Sequence, residues 1–570
     1  MKNLIRKYRN RYRRRYNPLV EPDEIFLDSK NLPDFNTQQF EGTLEYPIRR
    51  SSLGSVGGLF LIALIVFASR LWYLQITNGS VYKHQSERNS LGREPIFAAR
   101  GNIYDRNNVP LVWNNTVSTD MPWGERSYIQ KGGFSHVLGY VDYPTKDRSG
   151  NYWQTEIIGK DGVEKVYNDD LAGANGWNIV ERDIAGKVQS GSIVDEPVPG
   201  KNLILSVDAR LQGELSRILS EQVATHGFRS ASGIMMDATN GEIISITNVP
   251  EYNSGIMSLR KDTAKIRQYL TDKRSPLINR AVGGLFVPGS IVKPYIALEV
   301  LNQAVIDPLK KLESRGYISI PNPYFPDRPS IFRDYNPDNG WVDIRHAIAV
   351  SSNIFFMKVT GGYKEQKGIG IYNLNTALSR FGFTSKTGVD LPGEKFGTLP
   401  NPEWKAERFP GEPWRVGDTY NTAIGQYGVQ VTPIEIARSL SAVANRGTLV
   451  TPHVLKDLKT ETKKITDVPD SYYTIVHEGM QLGATIGTGQ ILSRLPFSAG
   501  SKTGTAQVGV GGKNINSWMT VFFPYEKPKY VFVVMLNDGP SISIASAQRS
   551  TYEFLDWVAL NAPEYTRTAE

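Results

Sequence analysis

Three short polar segments follow one another along the second half of a 570-residue chain: Ser290-Ile291-Val292-Lys293, Ser351-Ser352-Asn353 and Lys502-Thr503-Gly504-Thr505. Together they supply a hydroxyl nucleophile, an amine base, a second hydroxyl to relay protons, a side-chain amide and a further cation. That set is sufficient to form and break a serine acyl ester. Ser290 follows Phe286-Val287-Pro288-Gly289 and opens an apolar run through Leu301. Pro294 is tolerated only near a helix start, so the spacing predicts a helix beginning close to Ser290. Free N–H groups there can stabilise an oxyanion. Lys293, three residues on, shares the face of Ser290. If buried near another cation, it loses its proton readily and can act as base.

Each segment also has a plainer reading. Ser290 suits a helix cap, and Lys293 a surface charge. Ser351-Ser352-Asn353 lies between Ala347-Ile348-Ala349-Val350 and Ile354-Phe355-Phe356, so its polar atoms must find buried partners, as a relay and substrate clamp or as a helix cap or turn. Lys502 can meet a substrate carboxylate or sit solvated on an edge strand. Gly504 lets substrate approach the backbone, while Thr503 and Thr505 offer hydroxyls and N–H groups. Copies elsewhere show how common such segments are: Ser80-Val81-Tyr82-Lys83, Ser258-Leu259-Arg260-Lys261 and Lys386-Thr387-Gly388. The first has no core around it, the second reads as a solvated charged surface, and the third enters a turn-rich loop.

The elements that must position the segments are legible. After Pro197-Val198-Pro199-Gly200-Lys201, a linker by composition, Leu203–Val207 reads as a strand. Asp208 caps a helix with Leu211, Leu215, Ile218, Leu219 and Val223 on one face, and Gly227 ends it. Gly233–Met236 and Glu242–Ile246 read as paired strands, as do Trp518–Phe523 and Tyr530–Leu536. A helix over Ala545–Leu560 follows. Strands from both ends of this region can join one antiparallel sheet with helices layered on it, an α+β architecture.

A chain this long needs two or more domains. The formal net charge of +8 is concentrated: Lys2, Arg6, Lys7, Arg9, Arg11, Arg13, Arg14 and Arg15 all lie in the first sixteen residues. With no cysteine, disulfides and thiolate chemistry are excluded, and six scattered histidines lack the spacing of a zinc hydrolase. No metal or cofactor is expected. Ser51–Ser69 carries no charge and rises about 28 Å as a helix, enough to cross a bilayer core. So long a stretch without a polar face argues against a core helix. The basic cluster before it places residues 1–50 in the cytoplasm and everything after about 76 outside. Topology and attraction to anionic lipid explain that cluster without nucleic acid.

Ser-x-x-Lys, Ser-x-Asn and Lys-Thr-Gly in this order resemble the signature of penicillin-binding proteins and serine β-lactamases. Behind a membrane anchor, the chain looks like a class B penicillin-binding protein of the penicillin-binding protein 2 type. Further segments carry the resemblance: Ala99-Arg100-Gly101-Asn102-Ile103-Tyr104-Asp105-Arg106-Asn107 and Gly162-Val163-Glu164 in a non-catalytic pedestal, then Thr387-Gly388-Val389-Asp390-Leu391-Pro392-Gly393-Glu394 and Gly425-Gln426-Tyr427-Gly428.

The resemblance implies a basic cytoplasmic tail over 1–50, a membrane helix over 51–76, a pedestal over 77–202 and a transpeptidase domain over 203–562. It implies Ser290 as the acylated nucleophile and Lys293 as its base. Ser351 would relay a proton, Asn353 would bind the donor peptide, and Lys502, Thr503, Gly504 and Thr505 would hold substrate. The N–H groups of Ser290 and Thr505 would form the oxyanion hole. The implied activity is D,D-transpeptidation of peptidoglycan stem peptides, blocked by β-lactams, in elongation and beside a SEDS-type lipid II polymerase. A septal role, and a non-catalytic scaffold or β-lactam sensor, are the alternatives. One departure stands out: relatives carry His-Ala-Trp-Phe where this chain has Asn516-Ser517-Trp518-Met519.

Overall fold

The computed structural model describes residues 50–80, 82, 91–116, 121–148, 150, 152–182, 188–322 and 325–567. The basic tail expected over 1–50 lies outside them but for Arg50. Contacts divide the chain into two units after Leu91. In the first, helix α1 (Arg50–Trp72) runs on into a π-helical turn over Tyr73–Thr77. Leu53–Thr77 has a mean hydropathy of 1.9 over its most apolar window and none of that window is buried. Leu59, Phe60, Leu61 and Ile62, consecutive and therefore on all sides of the helix, are exposed. Such a surface suits hydrocarbon rather than a protein core.

The second unit begins with short strands. β1 (Ile103–Tyr104), β2 (Pro110–Asn114) and β3 (Arg126–Tyr128) lie in a four-stranded sheet whose fourth member is β4 (Leu203–Ile204), in the order β4-β1-β2-β3. The strand expected over Leu203–Val207 is therefore shorter. It pairs in parallel with β1, Leu203 opposite Ile103, instead of joining the large sheet. The backbone then turns into α2 (Ala209–His226), with the Asp208 side chain accepting from Arg210 N and Gly227 ending the helix at a φ of 71°. Asp105, from the Arg100–Asn107 segment, adds a second tie: its Oδ2 accepts from Ala209 N at 3.0 Å.

The large sheet runs β6-β5-β11-β10-β9, from β5 (Ser230–Asp237), β6 (Ile243–Val249), β9 (Gly500–Val508), β10 (Asn514–Phe523) and β11 (Tyr530–Pro540). Between β6 and β9 come a hairpin, β7 (Leu312–Ile320) with β8 (Ser330–Val342), and five helices that matter to the site or the core: α3 (Lys293–Asn302), α4 (Ile344–Ala349), α5 (Asn353–Gly361), α6 (Pro433–Ala444) and α7 (Asp470–Thr485). The pairing of β5 with β11 is antiparallel, Ile234 opposite Val533, so strands from the two ends of the region do share one sheet. Side chains of β11 alternate strictly: Val531, Val533 and Met535 enter one core with Ile234, Met236, Trp518 and residues of α3, α6 and α7. Phe532, Val534 and Leu536 enter another with Leu211, Leu215 and Leu219 of α2 and Phe554, Leu555 and Val558 of α8 (Ser546–Asn561). Both faces are covered, which is why β11 reads as a continuous apolar run.

Two segments singled out by resemblance meet in one buried ion cluster. Arg100 Nε and Arg126 Nε bond the two oxygens of Glu164 at 2.6 and 2.7 Å, with all three side chains essentially unexposed. Burial alone would raise the Glu164 carboxyl, but Arg126 and Arg100 outweigh it and hold the group below the ordinary glutamate range. A lowered folded value means the stabilisation is present above the unfolded carboxyl value and lost as pH falls through the folded one. Glu164→Ala leaves two buried guanidiniums unpaired and should lower unfolding free energy by about 3–5 kcal/mol, read from urea denaturation at neutral pH.

Candidate active site

Ser290 lies in a short 3-10 turn, Gly289–Val292, that feeds directly into α3 at Lys293, with Pro294 in its first turn. The helix begins where the proline dictates. Ser290 borders a cleft of about 990 Å³ that is also lined by Ser351, Asn353, Thr503 and Thr505. Lys293 is fully buried. Its Nζ donates to Ser351 O at 2.6 Å and to Asn353 Oδ1 at 2.7 Å, and lies 3.3 Å from Ser351 Oγ. Burial lowers its pKa to about 7, against an opposing pull from the negative charge of Asp334. Much of it is therefore neutral at physiological pH. With both short bonds made by the two N–H groups of a neutral amine, the lone pair is free for a hydroxyl proton.

The second segment divides its roles between neighbours. Ser352 is the helix cap: its Oγ accepts from Phe355 N at the start of α5. Ser351 instead occupies the turn after α4 with φ +60°, a left-handed conformation that a serine adopts only when its surroundings hold it. The plainer reading is thus correct for Ser352 and leaves Ser351 and Asn353 facing the cleft.

Lys502, Thr503, Gly504 and Thr505 lie on β9, an edge strand, yet Lys502 is buried. Its Nζ donates to Thr503 O at 3.0 Å. Burial first, then the charge of Lys293, depress its pKa well below that of a free lysine. An anion arriving in the cleft would favour its charged form. Thr503 Oγ1 shares a 2.6 Å hydrogen bond with Thr488 Oγ1.

Gly504 has a tighter reason than access for substrate. A Cβ there would lie 2.6 Å from Pro288 O and 2.8 Å from Ile291 Cγ2, so the Ser290 turn rests directly on β9. At Gly289, with φ +62°, a Cβ would meet Thr505 O at 2.8 Å. Gly289 N in turn donates to Gly425 O at 3.0 Å, which is where the Gly425-Gln426-Tyr427-Gly428 segment enters. The backbones of Ser290 and Thr505 are thereby held side by side.

The repeated segments resolve on geometry. Lys386 is exposed, and Asp390, in the loop after it, accepts from Val454 N, Leu455 N and Tyr167 OH, a purely structural role. Ser258 was expected on a solvated surface. It is instead buried, with Oγ bonded to Tyr128 OH and accepting from Val141 N, because the chain folds this short helix under β3. The departure at 516–517 is also internal: Asn516 Nδ2 and Trp518 Nε1 both donate to Val287 O just before the Ser290 turn, and Ser517 Oγ bonds Ile544 O.

Sequence reasoning passed over Asp334. It comes from β8 on the far hairpin and borders the cleft with Arg333 and Tyr335. Its Oδ1 accepts from Asn353 N at 2.8 Å, and its Oδ2 from Ser352 Oγ at 2.9 Å, Ser314 Oγ at 2.9 Å and Ile354 N at 3.3 Å. No short motif surrounds it, so no local signal marks it. Among the described residues no group of three His, Asp or Glu side chains converges to hold a metal ion.

Because Gly504 carries the Ser290 turn, Gly504→Ala must displace Pro288 and Ile291. Overpacking of this kind should lower stability by about 1–3 kcal/mol, measured as a drop in the urea midpoint.

The family model for the penicillin binding protein transpeptidase domain matches residues 231–556, and that for the penicillin-binding protein dimerisation domain matches 122–205. The peptidoglycan D,D-transpeptidase MrdA of Acinetobacter baumannii is 29% identical over 597 residues, spanning 87% of this chain and 86% of that protein. Among solved structures, Pseudomonas aeruginosa PBP2 in complex with WCK 5153 matches with TM-score 0.68 and 26% identity over 84% of this chain and all of the other. Helicobacter pylori PBP2, solved in complex with MreC, matches with TM-score 0.67 and 25% identity over 83% of this chain and all of the other. With more than half of its length matched by one family model and its three signature segments gathered at one cleft, the chain belongs to the penicillin-binding protein transpeptidase family.

Proposed function

We propose that Ser290 is the acylated nucleophile of a peptidoglycan D,D-transpeptidase, with Lys293 as its base. One observation carries this reading: a buried amine, lowered to about 7, whose hydrogen bonds run to Ser351 and Asn353 at the cleft that Ser290 borders. The activity is that of a serine-type D-Ala-D-Ala transpeptidase. Its likeness to the MrdA enzymes favours elongation over the septal role and over a scaffold or sensor.

The steps follow from the groups present. Ser290 Oγ attacks the amide carbonyl of the penultimate D-Ala of a donor stem peptide, and its proton passes to Lys293. The N–H groups of Ser290 and Thr505, brought together by the Gly289 and Gly504 contacts, receive the oxyanion. The C–N bond then breaks, and the proton travels through Ser351 to the leaving D-Ala amine. An amine of a second stem peptide attacks the ester, forms the cross-link and returns the proton to Ser290. Asn353 orients the donor, while Lys502, Thr503 and Thr505 receive its carboxylate, whose negative charge favours the ammonium form of Lys502. A β-lactam acylates the same serine without a group that departs.

The protein is membrane-bound through α1 as a single span. The charge pattern supports an inward basic tail and an outward catalytic cleft. We assign 77–202 to the pedestal and 203–562 to the transpeptidase domain. Ligands are peptidoglycan stem peptides and β-lactams. A SEDS-type lipid II polymerase is the proposed partner, as the resemblance in the sequence implies.

Intact-mass measurement after penicillin treatment should show a long-lived adduct that maps to Ser290 and vanishes in Ser290→Ala. Rapid loss of the adduct would point to a β-lactamase. The rate of acylation should rise as pH passes through about 7, since below that value Lys293 holds its proton and has no lone pair to offer. Lys293→Arg stays charged and should reduce the rate by 100-fold or more, roughly the usual contribution of a general base.

A further inference from the structure

Lys293 has its acceptors in the Ser351–Asn353 turn, and that turn has its own support behind it. Asn353 links the two: its Oδ1 accepts from Lys293 Nζ, and its backbone N–H donates to Asp334 Oδ1. Asp334 Oδ2 accepts from the hydroxyl that caps α5 and from Ile354 N, the next amide of that helix. Four donors from β7 and α5 thus converge on one carboxylate: Ser314 Oγ, Ser352 Oγ, Asn353 N and Ile354 N. A carboxylate at a helix N-terminus is favoured by the free amides there. Here it also fixes the residue after the left-handed Ser351, whose conformation needs an outside hold.

We propose that Asp334 is a positioning residue for acylation: its carboxylate clamps the Ser351–Asn353 turn and places a negative charge behind the amine that the turn holds. The assignment rests on the acyl-enzyme reading above and extends it to a residue outside the three signature segments. Asp334 on β8 favours the Lys293 ammonium, while Lys502 on β9 is itself depressed by burial and then by the charge of Lys293. Asp334 keeps burial from driving the amine too far down. A base must stay strong enough to take a serine proton and yet be largely free at neutral pH.

The test compares the full-length protein with Asp334→Asn and Asp334→Ala, using a fluorescent penicillin to measure the second-order rate of Ser290 acylation from about pH 5 to pH 9. Asparagine retains an acceptor for Asn353 N but removes the charge. The acid limb should move to lower pH by about half a unit or more, because Lys293 loses the partner that holds its proton. Asp334→Ala also releases the turn and should slow acylation about tenfold or more at every pH. Superimposable pH profiles for Asp334→Asn and the unaltered protein would overturn the proposal, since a merely structural carboxylate gives no shift. If the alanine variant fails to fold by thermal melting, the near-isosteric asparagine variant decides alone. Failure of the unaltered protein to form any Ser290 adduct is seen before variants are compared, and it overturns the acyl-enzyme reading and this inference with it.

Discussion

A lysine amine sealed away from water organises the catalytic end of this protein. Lys293 is buried at the first turn of α3, and an ammonium there would forgo hydration that its neutral acceptors only partly replace. The amine yields its proton near neutrality, and its hydrogen bonds anchor the turn bearing Ser351 and Asn353. The same buried amine therefore also holds the Ser351–Asn353 turn in place. Lys502, buried on β9, feels the same desolvation and the repulsion of Lys293. An anion brought into the cleft would favour the charged forms of both lysines.

That arrangement needs the Ser290 turn and β9 at backbone contact, and glycines permit it. Without side chains at Gly289 and Gly504, the carbonyls of Pro288 and Thr505 approach within distances that a Cβ would forbid. Asn516 and Trp518 on β10 then bind Val287 O and set the approach of the turn from beneath. Asn516, at the departure from the family pattern, thus supports the loop that carries Ser290. On the opposite wall the β7–β8 hairpin contributes Asp334, which supports the Ser351–Asn353 turn from behind. The large sheet, covered on both faces, is the rigid body to which these parts are attached.

What could be read in advance divides by range. Local rules held where the cause is local: Pro294 placed the start of α3, Asp208 and Gly227 bounded α2, and an uninterrupted apolar run marked β11. They failed where a residue's fate depends on distant chain. Ser258 lies in a charged stretch and reads as solvated, but a strand more than a hundred residues earlier covers it. Leu203–Val207 has strand character, but its partner is a two-residue strand a hundred residues earlier. Asp334 has no pattern around it, because its donors come from Ser314 and from the start of α5.

The sequence by itself determined the kit: which side chains can act as nucleophile, base, relay and cation, their order along the chain, and the apolar span that anchors them. It did so because residue type, helix period and uninterrupted hydrophobic length are properties of short stretches. Only the tertiary structure decided which copies of the repeated segments gather at the cleft. Lys386 is exposed, Lys293 and Lys502 are buried, and a covering strand turns Ser258 into a structural hydroxyl. Proton affinity depends on solvent exclusion and on charges brought close by folding, and neither is written in the spacing of four residues.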